Sequence, residues 1–400
     1  LTQRTLRDVL HESMEKAMPA STKPPPCIHA TPYARPNCHV QYRQCQHPAT
    51  KGLVIRAIDC KNCPPSRREA PKKRKATAAP NVAVRQPVII KSGFRLGDMV
   101  LLSGAVRDLA GLGYEVSVDT IYPDLWENNP YVVPVPQDRS KATEIELTAN
   151  GINEWRDLRE HYAHYWHQEI GGKLGIHIPR GPMHGDIHLS GQEKGWIDQV
   201  SEATGQTRPF WLVASGGTKD YTVKWPHVDN LHRAIKSVNG HMRFVQIGSE
   251  EDHHPVLEGC VNLIGKTTVR QLIRLVYHSE GVICPVTGPM HLAAAVPTKT
   301  GEPRPCIVLA GGREPAYWEE YPGHDYLSTV GKLDCCKDDG CWLARCEKAN
   351  DGRSWDHDSL CTHGVETDYG LVPRCQSMIT PSWIAGRLLS HIGGEALGYV

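Results

Sequence analysis

An α/β fold of two doubly wound halves is what this 400-residue sequence predicts, and three observations predict it. Strand-like and helix-like runs alternate through residues 87–205 and again through 206–330, which is the pattern of parallel sheets. Several strand runs, VII at 88–90, FWLV at 210–213 and GVIC at 281–284, are continuously apolar, as strands covered on both faces must be. Small-residue turns follow those strands and open helices, where open α/β sheets take their ligands.

The totals bound the function. The length suits two or three domains. A formal net charge of +1 gives no global field toward nucleic acid or membrane. No apolar run approaches the roughly 20 residues of a membrane span, and no signal peptide is visible. Of 14 cysteines, five lie between Cys27 and Cys63 and six between Cys335 and Cys375, each cluster interspersed with histidine. Short spacings of this kind favour metal over disulfides in a cytoplasmic chain, which is the expected location. Cys260, Cys284 and Cys306 sit in or beside apolar stretches and read as inert core thiols.

In order, residues 1–63 read as an N-terminal extension, with an amphipathic run at 3–18 followed by Cys/His pairs. Cys60 and Cys63 make a C-x-x-C knuckle that Cys45 and His47 would complete as a tetrahedral zinc or iron site. Cys27 and Cys38 are alternative partners. Residues 64–86, rich in Pro, Ala and basic residues, read as a linker whose Lys72–Lys75 run is a solvated tether or a nucleic-acid patch. Residues 87–205 open strand, turn, helix, strand: a strand at 88–90, a turn at 93–98, a helix at 99–109 and a strand at 115–122. Asp98 closes that turn, either as an N-cap or as a general base facing the cleft. The run WRDLREHYAHYWHQEIGGKL predicts one aromatic-rich helix, either lining an acceptor pocket or packed with polar tips, and DIHLSGQEKGWIDQV a short strand, then a helix with a Ser190/Glu193 capping box.

The stretch from 206 to 330 repeats the pattern, with strands at FWLVASGG, RFVQIG, VNLIG, GVIC and CIVLAGG. Gly265-Lys266-Thr267 has the end of a P-loop, but the nearest glycine before it, Gly259, is misplaced, so the segment reads as a structural helix start. The central stretch is GVICPVTGPMHLAAAVP at 281–297: a strand ends, Val286 to Pro289 turns, and Met290 begins a helix. Such a turn aims free N–H groups and a positive dipole end at one point, an anion site suited to a diphosphate; it is equally the form of an ordinary βα turn. Residues 331–400 read as a Cys-rich module in which Cys336, Cys341, Cys361 and Cys375 form a four-thiolate iron or zinc site, followed by a closing helix after Thr380.

Three ordered segments carry a resemblance. SGFRLGDMVLLSGAVRDL, the K-x-W-P-like Lys224-Trp225-Pro226 and VTGPMHLAAAVPT resemble glycosyltransferase family 9, the ADP-heptose transferases, and the Cys-rich tail is similar in character to the iron-binding, autotransporter-type branch. The resemblance covers about residues 87–330 and implies the GT-B fold, an acceptor half at 87–205 and a nucleotide-sugar half at 206–330. It implies inverting transfer from a nucleotide-diphosphate sugar, an ADP-sugar by family, to a hydroxyl on a glycan, a protein or another compound. No catalytic divalent ion is then required, since a lysine and a helix dipole take its role. Asp98 would be the base and Lys224 the leaving-group stabiliser. Gly97, Gly216, Thr287, Gly288, Pro289, Met290 and His291 would border the diphosphate, with Gly248 and Glu250, Glu251 or Asp252 near the ribose. One departure is Val286, where lipopolysaccharide heptosyltransferases commonly carry Asp, so the donor sugar is open. A homo-oligomer is among the expected partners. Two other readings compete: a sugar-nucleotide epimerase, and a degenerate transferase scaffold that binds nucleic acid or protein through its knuckles and basic linker.

Overall fold

The structure is a computed structural model; it describes residues 86–392 apart from 239, 241 and 351–359, together with the backbone of two short strands at 42–44 and 54–56. Those strands, β1 (Tyr42–Gln44) and β2 (Val54–Arg56), pair antiparallel within a unit spanning Pro19–Val82. The expected knuckle of Cys45, His47, Cys60 and Cys63, the 3–18 helix and the linker lie outside the described residues. All elements below belong to the other unit, which contains Ala83–Val400.

Its first half is a three-stranded parallel sheet ordered β4-β3-β5, from β3 (Val88–Ser92), β4 (Val116–Thr120) and β5 (Thr143–Glu146). Helix α1 (Leu96–Gly111) joins β3 to β4, and its apolar residues Met99, Val100, Leu101, Leu102, Ala105 and Val106 are buried nearly all round, so no single amphipathic stripe marks it. Short helices α2 (Ile152–Asp157), α3 (Tyr165–Leu174), α4 (Gly191–Gly195) and α5 (Gln199–Thr204) follow.

The second half is a six-stranded parallel sheet ordered β11-β10-β9-β6-β7-β8. The chain runs β6 (Phe210–Val213), α6 (Val228–Val238), β7 (Arg243–Gln246), β8 (Val261–Asn262), α7 (Val269–His278), β9 (Gly281–Pro285), α8 (Gly288–Ala295), β10 (Cys306–Gly311), α9 (Ala316–Glu319) and β11 (His324–Ser328). Alternation along β6 feeds two cores: Phe210 and Leu212 join the core shared with the first half, while Trp211 and Val213 pack under α6 and the last helix. Because β6 lies beside β9 and the order runs outward from that pair in both directions, the switch point falls between their carboxyl ends. A hairpin, β12 (Gly364–Thr367) with β13 (Gly370–Pro373), then α10 (Arg374–Ser377) and α11 (Pro381–Ile392) complete the fold. Among the described residues no helix is long and apolar enough to cross a membrane.

Most sequence expectations hold in place and type, and four need correction. The single helix expected over 155–174 is two, α2 and α3, broken where Arg159 takes φ 55° and a 3-10 turn covers Tyr162–His164. The strand expected before the Ser190 capping box is extended chain that joins no sheet, although the capping box itself is present. Helix α1 starts three residues early, at Leu96, with Arg95 at the N-cap; Asp98 is therefore inside the first turn and is not a cap. Helix α8 likewise starts at Gly288, with Pro289 in its first turn, where a missing N–H is harmless.

Candidate active site

The switch point builds the site. After β6 the chain turns through Gly216 and Gly217, and after β9 through Val286 and Thr287; the Thr287 methyl would lie 3.3 Å from a Cβ placed on Gly217. Thr287 is the N-cap of α8 yet its side chain caps nothing: its hydroxyl donates to the Pro285 carbonyl at 3.2 Å. The N–H of Met290 donates to the Thr287 carbonyl at 3.0 Å. The expected anion contact through Met290 is thus turned inward, leaving the amides of Thr287 and Gly288 at the helix opening.

The opening of α1 faces that of α8. A Cβ on Gly97 would stand 2.9 Å from His291 Cδ2 and 3.5 Å from Gly288 Cα, so only glycine allows the two helix starts to approach. Arg95 caps α1 with its backbone alone. Two helix N-termini without side-chain caps therefore converge, and their dipoles add in favour of an anion. His291 is not at hand as a charged ligand: it is buried, its Nδ1 pairs with the Tyr321 hydroxyl at 2.8 Å, and burial holds its pKa well below the usual histidine value.

Asp98 projects from the first turn of α1 and is half-buried. Tyr162 donates its hydroxyl to Asp98 Oδ1 at 2.7 Å, and its ring stacks on Trp318 with centroids 5.2 Å apart. Desolvation raises the Asp98 pKa, while the Tyr162 hydroxyl and the nearby Lys224 charge pull it back. Lys224 ends the 3-10 turn Lys219–Lys224, and its ammonium pairs with Glu314 Oε1 at 2.8 Å. Arg313 pairs with the same Glu314 oxygen. Glu319, buried behind them, is pushed up to about 8 by desolvation and by Glu314.

The structure sets Gly97 beside Gly288 and His291, and Gly217 beside Thr287, with Lys224 near enough for its charge to act on Asp98 and His291. Gly216 lies so close to the His253 carbonyl that a Cβ would collide with it. Glu251 is exposed on the loop after β7, and Gly248 lies in that loop against the His254 ring. The half-buried acid there is Asp252, whose pKa is raised by burial and lowered in part by Arg95. Sequence reasoning missed Glu314, Glu319, Tyr162 and Trp318. Glu314 was within reach, because it follows β10 at the same ligand-facing sheet end as Gly216 and Thr287.

Cys335, Cys336, Cys341, Cys361 and Cys375 line one small pocket with His363, Gly312 and Arg313. Soft thiolates converging on one point suit iron or zinc. Burial raises the thiols of Cys375 and Cys335 to about 12 and about 11, so a cation there would displace their protons. Among the described residues, no three His, Cys, Asp or Glu side chains stand in finished metal geometry. Cys260, Cys284 and Cys306 are buried as expected, the last two with sulfurs 3.9 Å apart.

Comparison with known proteins gives a family match over part of the chain, and a fold. Residues 193–318 match glycosyltransferase family 9 (heptosyltransferase). No curated protein matches the chain. Among solved structures, a family 9 glycosyl transferase from Veillonella parvula DSM 2008 is 12% identical with a TM-score of 0.51, covering 77% of this chain and 97% of its own. The iron-containing dodecameric glycosyltransferase TibC from enterotoxigenic E. coli H10407 is 16% identical with a TM-score of 0.51, covering 78% of this chain and 76% of its own. TibC in complex with ADP-D-beta-D-heptose gives 15%, 0.51, 78% and 76%. The α/β halves with parallel sheets are thus the fold of these transferases.

Proposed function

We propose that this chain, whose residues 193–318 are a glycosyltransferase family 9 domain, moves a sugar with inversion from an ADP-linked donor, heptose or a relative, to a hydroxyl on a glycan or protein. One observation carries the reading: two helix starts without side-chain caps meet at Gly97 and Gly288, next to Asp98, on which the Lys224 charge acts. Asp98 accepts the proton of the acceptor hydroxyl, whose oxygen forms the new bond at the anomeric carbon. The bond from that carbon to the diphosphate breaks on the opposite side. Lys224 and the amides of Thr287 and Gly288 receive the charge that grows on the leaving oxygen. Tyr162, by donating to Asp98, offsets part of the desolvation that raises the carboxyl's pKa and so favours the ionised form a base needs.

The ADP-heptose in the TibC complex directs the choice of donor base. Buried Val286 offers no carboxylate to donor-sugar hydroxyls, which leaves room for a sugar other than heptose. Cys336, Cys341, Cys361 and Cys375 would hold a structural iron or zinc ion, which fastens the tail and takes no part in transfer. A homo-oligomer is the form suggested by dodecameric TibC.

The test is calorimetric titration of the purified chain with ADP, UDP and GDP, with elemental analysis of the same sample. Selective ADP binding that Lys224→Ala weakens supports the reading. Selective UDP or GDP binding discards the ADP-linked donor, and absence of nucleotide binding overturns the transferase reading in favour of a scaffold.

A further inference from the structure

The Cys-rich tail does more than close the fold. Its segment Cys341–Cys346 threads between the loop after β10 and the 3-10 turn that carries Lys224. On the first side, the N–H of Cys341 donates to the Gly312 carbonyl at 3.1 Å, and that of Trp342 to the Arg313 carbonyl at 3.2 Å. Arg313 Nε donates back to the Leu343 carbonyl at 2.7 Å. Gly340, at φ +80°, lies against the Arg313 carbonyl where any side chain would collide. On the second side, the N–H of Val223 donates to the Ala344 carbonyl at 3.2 Å, and the N–H of Cys346 donates to Thr222 Oγ1 at 2.8 Å. Arg345, buried, reaches Asp220 at 3.5 Å. Lys224 and Glu314 then close the figure at 2.8 Å.

We propose that the tail segment 341–346 seats Lys224 for the diphosphate, with Thr222 and Glu314 as its positioning residues. This rests on the reading of Lys224 given above. A lysine has several rotatable bonds and would otherwise spend its freedom on binding. Here one carboxylate anchors two cations, Lys224 and Arg313, so the ammonium is held in place and Glu314 does not outweigh the two positive charges it pairs. The backbone of the lysine's own turn is tied at Thr222 and Val223 to the same segment that ties the Glu314 loop. The same loop also lines the thiol pocket through Gly312 and Arg313. A disturbance of that pocket is therefore transmitted to the lysine, without contact between the pocket and the diphosphate.

The experiment is a double-mutant cycle on the full chain, read as ADP affinity by calorimetry, with thermal melting of each variant as the folding control. Thr222→Val, nearly isosteric, is expected to weaken ADP binding about fivefold, the effect of one ordinary hydrogen bond. Glu314→Gln is expected to weaken it at least about tenfold, as breaking one half of a buried pair does. Placed on Lys224→Met, both substitutions are expected to change ADP affinity less than about twofold, because the group they position is gone. Equal effects with and without Lys224, or tighter ADP binding by Glu314→Gln, overturn the positioning role. If Glu314→Gln does not fold, Thr222→Val decides alone. If Lys224→Met binds ADP as tightly as the wild type, the assignment of Lys224 itself fails and takes this inference with it. If Lys224→Met weakens binding and neither Thr222→Val nor Glu314→Gln does, only the inference fails.

Discussion

Replacing Tyr162 by Phe isolates one hydroxyl. The ring keeps its stack on Trp318, so packing is preserved while the 2.7 Å hydrogen bond to Asp98 is lost. A hydrogen bond to a charged group contributes about 1.5–3 kcal/mol. Asp98 is half-buried and keeps the Lys224 charge and its own amide, which argues for the lower end of that range. At 1.36 kcal/mol per pH unit, a loss of ~1.5 kcal/mol moves the carboxyl up by about one unit. The sign follows from which form the hydroxyl favours: it stabilises the carboxylate, so its removal favours the acid. A base must be ionised, so the acid limb of kcat/KM against pH is expected to move about one unit higher, with activity restored at alkaline pH. The assay is release of ADP from ADP-heptose across the pH range, for the wild type and Tyr162→Phe. An acid limb that stays in place, or moves lower, refutes the reasoning that Tyr162 tunes Asp98.

Three further outcomes follow from the same geometry. Asp98→Asn should abolish turnover and leave ADP affinity nearly unchanged; equal loss of both would make Asp98 a structural residue. Glu319, with a folded pKa raised from 4.5 to about 8, favours its protonated form in the fold, so it should cost stability progressively as pH rises through that interval. Glu319→Gln should therefore raise the melting temperature at pH 8 and leave it unchanged near pH 4; equal effects at both would deny the buried acid. Cys341→Ser or Cys361→Ser should lower the metal content of the purified chain and its melting temperature, and unchanged metal by elemental analysis would remove them as ligands.

Most of the second half could be read from the chain because its strands are continuous apolar runs and two of the helices open on side-chain caps. Thr268 with Gln271 makes a complete capping box at α7, and Thr380 bonds the Trp383 amide at the start of α11. The turn at Thr287 was legible because small residues follow an apolar strand there and Pro289 suits a helix start. Reading failed where aromatic density concealed a break: nothing in the spacing of 155–174 separates one helix from two, because the break at Arg159 is set by Tyr162 reaching Asp98 and Trp318 from elsewhere in the chain. The cap reading of Asp98 failed for a related reason, since a cap and a first-turn residue differ by only a few positions in sequence.

The sequence by itself determined the α/β alternation, the small-residue turns at the strand ends and the presence of an acid, a lysine and clustered thiols. Periodicity, glycine and cap chemistry are local properties that need only neighbours within a few residues. Tertiary structure alone decided that the two helix starts face each other, that Glu314 holds Lys224, and that the thiol pocket backs the loop which does so. Those contacts join residues far apart in the chain, 191 positions between Gly97 and Gly288. Their partners are chosen by strand order and close packing, which no window along the chain contains.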